Sequence, residues 1–238
     1  MIDVHCHILH GIDDGPATIE DSIQLCRKLY ENGIRGVIAT PHFISGDQFD
    51  AEPVEIREKL ALLKNELEKQ DIKLDIYPGM EVFAAHDIVK NLKTGRIVTL
   101  NDTKYVLIEF SLNVMPKYAM DLLFSIQLEG YMPIIAHPER YSAEFNKSGL
   151  LEQMVERGIL LQVNTGSIMG KHGSRIEKAA AGLIRCGLVH IISSDSHGGR
   201  RVFNNLQLLE NKVTSLCGTE NCRRLLYDNP QKIINGIP

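Results

Sequence analysis

Seven short apolar runs recur along the chain, each followed by a turn and then a helical pattern, and this alternation constrains the fold more than any other feature. The runs are Ile2–Cys6, Gly36–Thr40, Leu74–Val82, Tyr105–Phe110, Pro133–His137, Leu160–Asn164 and His190–Ser194. They are rich in Ile and Val and apolar on both faces, as buried strands of a parallel sheet are. Between them, Pro53–Gln70 places Ile56, Leu60, Leu63 and Leu67 on one helical face, with Pro53 suited to the first turn. Thr18–Asn32 is stopped by Gly33, Lys147–Arg157 by Gly158, and Gly173–Arg185 by Gly187. Met115–Glu129, Val202–Leu216 and a terminal Glu220–Asn229 complete the helical set. Alternating strand and helix implies a parallel sheet. With no linker or composition shift, one domain over residues 1–238 is expected. The sheet either stays open or closes into a barrel, and no GxGxxG or GxxxxGK[ST] loop marks it as a nucleotide binder.

The strand ends favour closure. His5 and His7 end the first run, His42 follows the second, and Glu81 and Glu109 end the third and fourth. His137 ends the fifth, and Asp195 and His197 follow the seventh. In a closed barrel these carboxyl ends converge on one face, where barrel enzymes place their chemistry. Residues i and i+2 of a strand share a side, so His5 and His7 grip one cluster while Cys6 faces the helices, and Asp195 and His197 repeat the geometry. A single strand-end histidine reads as a hydrogen-bonded core residue. Eight ligand-type residues on six of seven strand ends are not explained that way. Imidazole and carboxylate without thiolate suit manganese, iron or zinc and argue against a closed structural zinc site. Asp13 and Asp14 are further candidates, against the plainer reading of Asp14-Gly15 as a turn. His10, His86, His172 and His190 fall outside the pattern and read as surface or helix-end residues.

Composition narrows the partners. The net charge of −4 argues against nucleic acid or anionic lipid. No apolar run approaches the ~20 residues of a membrane span, and Met1 leads directly into a strand-like segment with no signal-peptide pattern. Five scattered cysteines with no CxxC fit reduced thiols and a cytoplasmic location.

The ordered set His5-x-His7, Pro41-His42, Gly79-x-Glu81, Glu109-Phe110, His137-Pro138 and Asp195-x-His197 resembles the PHP (polymerase and histidinol phosphatase) superfamily. Its members are distorted (β/α)7 barrels with a two- or three-metal centre. Met1–Gly15, Ala136–Tyr141 (AHPERY) and Gln162–Ser167 (QVNTGS) resemble more closely the CpsB/CapC/YwqE type, manganese-dependent bacterial protein-tyrosine phosphatases of capsule and exopolysaccharide synthesis. The resemblance implies two or three divalent ions, manganese first with iron or zinc as alternatives. It implies ligands His5, His7, Asp14, His42, Glu81, Glu109, His137, Asp195 and His197, with Glu81 bridging. Three such ions against four carboxylates leave a positive pocket that draws a dianionic phosphate ester. Arg140 matches the family's phosphate arginine, and Arg200 or Arg201 stands where a second one is expected. The reaction implied is attack of a metal-bound hydroxide on phosphotyrosine, with His42 or a bound water as proton donor. The implied substrate is a phosphotyrosine protein, the tail of a bacterial tyrosine kinase. Association of copies of the chain is left open.

Three rival readings remain at this point. A small-molecule phosphatase of the histidinol-phosphate type fits the same superfamily. Amidohydrolases share the HxH start but carry a metal-bridging lysine where this chain has Glu109. Cys217-x5-Arg223 fits the signature of cysteine-dependent phosphatases, yet Cys217 ends a helical segment and Gly218 reads as its stop, with Thr219 capping the next helix.

Overall fold

A computed structural model describes residues 1–112, 115–141, 149–198 and 205–237. Strand β1 (Ile2–Cys6) pairs in parallel with β2 (Gly36–Ala39), and β2 with β4 (Asp75–Pro78). Nearer the carboxyl ends, β3 (His42–Phe43) pairs with β5 (Glu81–Phe83). The ladder continues in parallel through β6 (Tyr105–Glu109), β7 (Met132–Ala136), β8 (Leu160–Asn164) and β9 (Ile191–Ser193). Beyond β9 the chain returns to β1: Cys6 bridges Ser196, His7 N donates to Ser196 O at 2.9 Å, and Asp195 N donates to His5 O at 2.9 Å. The sheet is thus a closed parallel barrel of seven staves, the second being β2 with β3 and the third β4 with β5.

The second and third apolar runs, read as continuous strands, are each broken near the top. Pro41 has no N–H to give the ladder, but its carbonyl accepts from Glu81 N at 3.0 Å and carries the pairing across the break. Gly79 breaks the other stave. A Cβ there would lie 2.8 Å from Ile38 Cγ2 and 3.0 Å from Leu100 Cδ2, so only glycine allows this approach.

Period-2 alternation divides the strand residues between two apolar regions. Val4, Ile38, Leu107, Ile134 and Ile191 fill the barrel interior, closed by Leu100, Ile233 and Ile234. Val37, Val106, Ile135, Leu161 and Ile192 face the helical layer. Two residues on from interior positions come polar ones: Glu109 after Leu107, Gln162 and Asn164 after Leu160, and Asp195 after Ser193. The barrel is therefore apolar below and polar at its carboxyl end. β1 reaches the same result by an irregularity between Asp3 and Cys6, so Val4 joins the interior cluster and the next residue, His5, faces the polar layer as well. Such bulges re-aim side chains beside active sites.

The helices follow their local signals. Ile19–Glu31 is capped by Thr18, whose side chain accepts from Asp21 N while Asp21 accepts from Thr18 N. Pro53–Lys69 buries Ile56, Leu60, Leu63 and Leu67, as its spacing requires. The other outer helices are Ala119–Leu128, Leu150–Glu156, Ser174–Arg185 and Leu206–Cys217. The first of these starts four residues later than its pattern indicated, beyond Pro116, whose carbonyl accepts from Ala119 N. The expected starts at Lys147 and Val202 lie outside the described residues. Helical structure also runs from Thr219 to Ile234 with a π-type turn at Arg224–Asp228. Ile88–Lys93 and Thr165–Ile168 are short helices with no clear periodicity.

Candidate metal centre

All nine residues expected to ligate metals meet at the carboxyl end of the barrel. Glu81 lies centrally and is buried: Oε1 stands 3.3 Å from His5 Nε2 and 3.0 Å from His137 Nε2. Its Oε2 stands 3.4 Å from His7 Nε2 and 3.0 Å from His42 Nδ1. Asp195 Oδ1 lies 3.3 Å from His5 Nε2 and 3.5 Å from both His7 Nε2 and His197 Nδ1. Glu109 approaches His137 at 3.5 Å and His42 at 3.7 Å. Asp14 Oδ1 closes the outer side, 3.1 Å from His197 Nε2 and 3.6 Å from His42 Nε2.

Two of these positions are held by uncommon backbone. His137 (φ 35°) and Asp195 (φ 52°) both adopt the left-handed conformation, which non-glycine residues keep only when the surroundings impose it. The AHPERY segment supplies the constraint for His137. Tyr141, 1% exposed, donates from its hydroxyl to Ala136 O and accepts from Phe110 N, both at 3.1 Å, tying β7 to the end of β6. Buried Glu139 accepts from Asn164 N at 3.0 Å, fixing the segment to β8. Between them a single 3-10 turn, Pro138–Arg140, directs Arg140 over the cluster, where Nη1 donates to Asp195 Oδ2 at 3.3 Å.

Asp13 and Asp14 separate by role. The Asp13 side chain is fully buried; its Oδ2 accepts from His7 Nδ1 at 2.6 Å and His42 N at 3.0 Å, and its Oδ1 from Gly15 N at 2.9 Å. Asp13 orients His7 while Asp14, 43% exposed, faces the ligand cluster.

Charge balance makes the cluster a place for cations. Burial works against the charged form of His5, but Glu81 and Asp195 overcome it and hold the imidazole up at about 9. His7 is raised in the same way by Asp13, and His42 by Glu81. Glu81 and Asp195 are held well below the usual carboxylate range, His5 outweighing their burial. Glu109 is pushed up by burial and by the charge of Glu81. Three overlapping groups have donor atoms within 4.8 Å of one another: His7, Asp14, His42 and His197; His5, His7 and Glu81; His42, Glu81 and Glu109.

The donor atoms also fit metal ions in detail. His5 Nε2 and His7 Nε2 face each other at 3.3 Å, while both Nδ1 atoms are engaged by acceptor oxygens, of Gln162 and Asp13. With both Nδ1 atoms so engaged, the two Nε2 atoms are the ones left to take one cation between them. Glu81 Oε2 is buried and takes no well-aligned hydrogen bond, although His42 Nδ1 is 3.0 Å away.

The centre opens into a cleft of about 400 Å³. Asp14, His42, Glu81, Glu109, Asp195 and His197 form its anionic and imidazole side, and Arg140 and Lys171 its cationic rim, with His172 beside them. Lys171 and His172 carry no periodic or spacing signal in the sequence. His172 is exposed, as read, yet it also belongs to the cleft. The remaining histidines are structural: His86 packs on Tyr118 with ring centroids 4.1 Å apart, and His190 Nδ1 accepts from Leu161 N at 3.2 Å. The His10 carbonyl accepts from Lys59 at 2.9 Å. Arg200 and Arg201 lie outside the described residues.

Cys217 ends its helix and bonds to Val213 O at 3.4 Å; Gly218 (φ 84°) serves as the stop and also as the cap expected of Thr219. Burial pushes the Cys217 thiol up, the opposite of what a nucleophile needs.

Known proteins are similar to this chain in sequence and fold. The family profile described as capsular polysaccharide synthesis, CpsB/CapC, matches residues 1–235. Tyrosine-protein phosphatase YwqE of Bacillus subtilis is 40% identical over 197 residues, 83% of this chain and 77% of that protein. Tyrosine-protein phosphatase CpsB of Streptococcus agalactiae is 32% identical, covering 98% of each chain. A solved structure from work on YwqE of Bacillus subtilis and CpsB of Streptococcus pneumoniae, described as unique metal-dependent tyrosine phosphatases, aligns with a TM-score of 0.94. It is 35% identical, and the match covers 100% of this chain and 96% of that one. A barrel with this strand-end set, matched over nearly its whole length, belongs to the CpsB/CapC family.

Proposed function

We propose that this chain is a metal-dependent protein-tyrosine phosphatase, a single-domain phosphoric monoester hydrolase acting in the cytoplasm on a tyrosine-phosphorylated protein, with a bacterial tyrosine kinase as its target. The observation that carries the reading is Arg140, standing over a convergent cluster of nine imidazole and carboxylate residues at the mouth of a cleft. Kinship with proteins named tyrosine-protein phosphatases supports it.

His5, His7, Asp14, His42, Glu81, Glu109, His137, Asp195 and His197 would hold two or three divalent ions, manganese first. Such ions supply Lewis acidity toward phosphoryl oxygens and a hydroxide nucleophile at neutral pH. Arg140 binds the non-bridging phosphate oxygens through its planar donor fork and steadies charge as it builds there. Asp195 Oδ2 holds Arg140 at 3.3 Å, so the guanidinium is aimed before substrate arrives. His42, with ring nitrogens facing Glu81 and Asp14, serves as a ligand ahead of a proton donor. The leaving phenolate, with a pKa near ~10, departs with less protonation than an alkoxide requires. Arg200 or Arg201, outside the described residues, would supply a second phosphate contact on the family resemblance alone.

The test compares kcat/KM on a tyrosine-phosphorylated peptide with that on histidinol phosphate, both with manganese present. A preference for the peptide is expected. A preference for histidinol phosphate would turn the assignment to a small-molecule phosphatase on the same site.

A further inference from the structure

Gln162 and Asn164 stand two residues apart on β8, face the polar end of the barrel and are buried, at 0% and 1% exposure. Neither is in the ligand set above. Their hydrogen bonds have a direction that can be read from one end. Asp195 Oδ2, as a carboxylate oxygen, only accepts, so the Asn164 atom 2.6 Å away is the donor Nδ2. Asn164 Oδ1 then accepts from Gln162 Nε2 at 2.8 Å. Gln162 Oε1 in turn faces His5 Nδ1 at 2.8 Å. An amide oxygen accepts, so Nδ1 of His5 carries the proton of this contact, and Nε2, the nitrogen that faces His7, Glu81 and Asp195, is the atom left to take a metal. Turning over either amide would set donor against donor or acceptor against acceptor in a dry interior.

We propose that Gln162 and Asn164 are positioning residues: a neutral amide relay, anchored on Asp195, that locks His5 in the Nδ1–H form and aims Nε2 at a divalent ion. The proposal rests on the metal-centre reading above. It also explains why the two histidines of the His-x-His pair are supported differently. His7 is oriented by the carboxylate of Asp13, whereas the relay fixes His5 without adding another negative charge beside Glu81, Glu109 and Asp195. Arg140 donates to the same Asp195 oxygen that anchors the relay, so phosphate contact and ligand orientation share one carboxylate.

Two measurements on the full chain test this. The first is manganese affinity by chelator competition for wild type and Gln162→Met, a substitution of similar length that keeps neither amide group, with thermal unfolding as the check on folding. A folded variant that holds one ion 10- to 100-fold more weakly is expected, the size typical of losing an orienting partner. The second is the nitrogen-15 spectrum of the His5 ring in the zinc-loaded wild type, which should show a slowly exchanging Nδ1 proton. Equal affinity in Gln162→Met, or a His5 proton on Nε2, would overturn the relay. Wild type that takes up no divalent ion would overturn the metal-centre reading instead. If Gln162→Met does not fold, the wild-type spectrum decides alone.

Discussion

Replacing Asp13 by Asn removes one charge and one acceptor from a residue that serves three donors. The carboxylate takes His7 Nδ1 at 2.6 Å, His42 N at 3.0 Å and Gly15 N at 2.9 Å, with its side chain fully buried. An amide has a single acceptor oxygen. With that oxygen toward His7, the new NH2 opposes the Gly15 N–H; turned the other way, it opposes both His7 and His42. An unpaired buried donor costs about 1–3 kcal/mol, and the surviving bonds lose their charge assistance. A loss of about 2 kcal/mol lowers Tm by about 4–8 °C in a chain of this size. Because His7 loses the partner that directs Nε2 toward the centre, metal affinity should also fall by about 10- to 100-fold. Circular-dichroism melting with chelator present reads the first effect, and manganese competition the second. Asp14→Asn is the control: its side chain is 43% exposed, so it should weaken metal binding while the melting of the chelated protein changes little. An Asp13→Asn protein with wild-type metal affinity would refute the orienting role.

Three further outcomes are expected. Arg140→Ala should lower turnover on a phosphotyrosine peptide by about 10²–10³-fold, the range for losing one donor to transition-state charge, with metal content by elemental analysis unchanged; lost metal would place Arg140 in the centre itself. Cys217→Ser should retain full activity, since that thiol caps a helix end away from the cleft; an inactive variant would revive the cysteine mechanism. The pH dependence follows from His5, held up at about 9 because Glu81 and Asp195 outweigh its burial. Its raised folded-state value means that the chelated protein has this contribution in full below about 6.5 and loses it as pH rises through 9, so its Tm falls over that interval. Metal binding displaces the same proton, so apparent manganese affinity should rise over the same interval, and parallel titrations and melts that slope together would contradict the assignment.

The barrel and the convergence of the nine candidate ligands were legible because both are written at strand ends. An apolar run states that a stave is buried, and the polar residue two positions beyond Leu107 or Ser193 states which end of the barrel it reaches. The breaks at Pro41 and Gly79 were less visible. Gly79 breaks a stave because Ile38 and Leu100, far off in sequence, leave no room for a Cβ. Asp13 and Asp14 are adjacent and chemically alike, and only the fold buries one and faces the other to the cluster. Gln162 and Asn164 lay within a recognised motif, but their role depends on Asp195 across the β8–β9 seam. Lys171 and His172 join the cleft from the loop after the short helix Thr165–Ile168, a placement that no local pattern encodes.

Phosphate release from a tyrosine-phosphorylated peptide, measured on the purified protein before chelation, after chelation and after manganese is returned, decides whether this chain is a metal-dependent phosphatase. Activity should disappear with the chelator and return with the metal. Activity that persists in the chelated protein would contradict that assignment, because the proposed reaction takes its nucleophile from the bound metal.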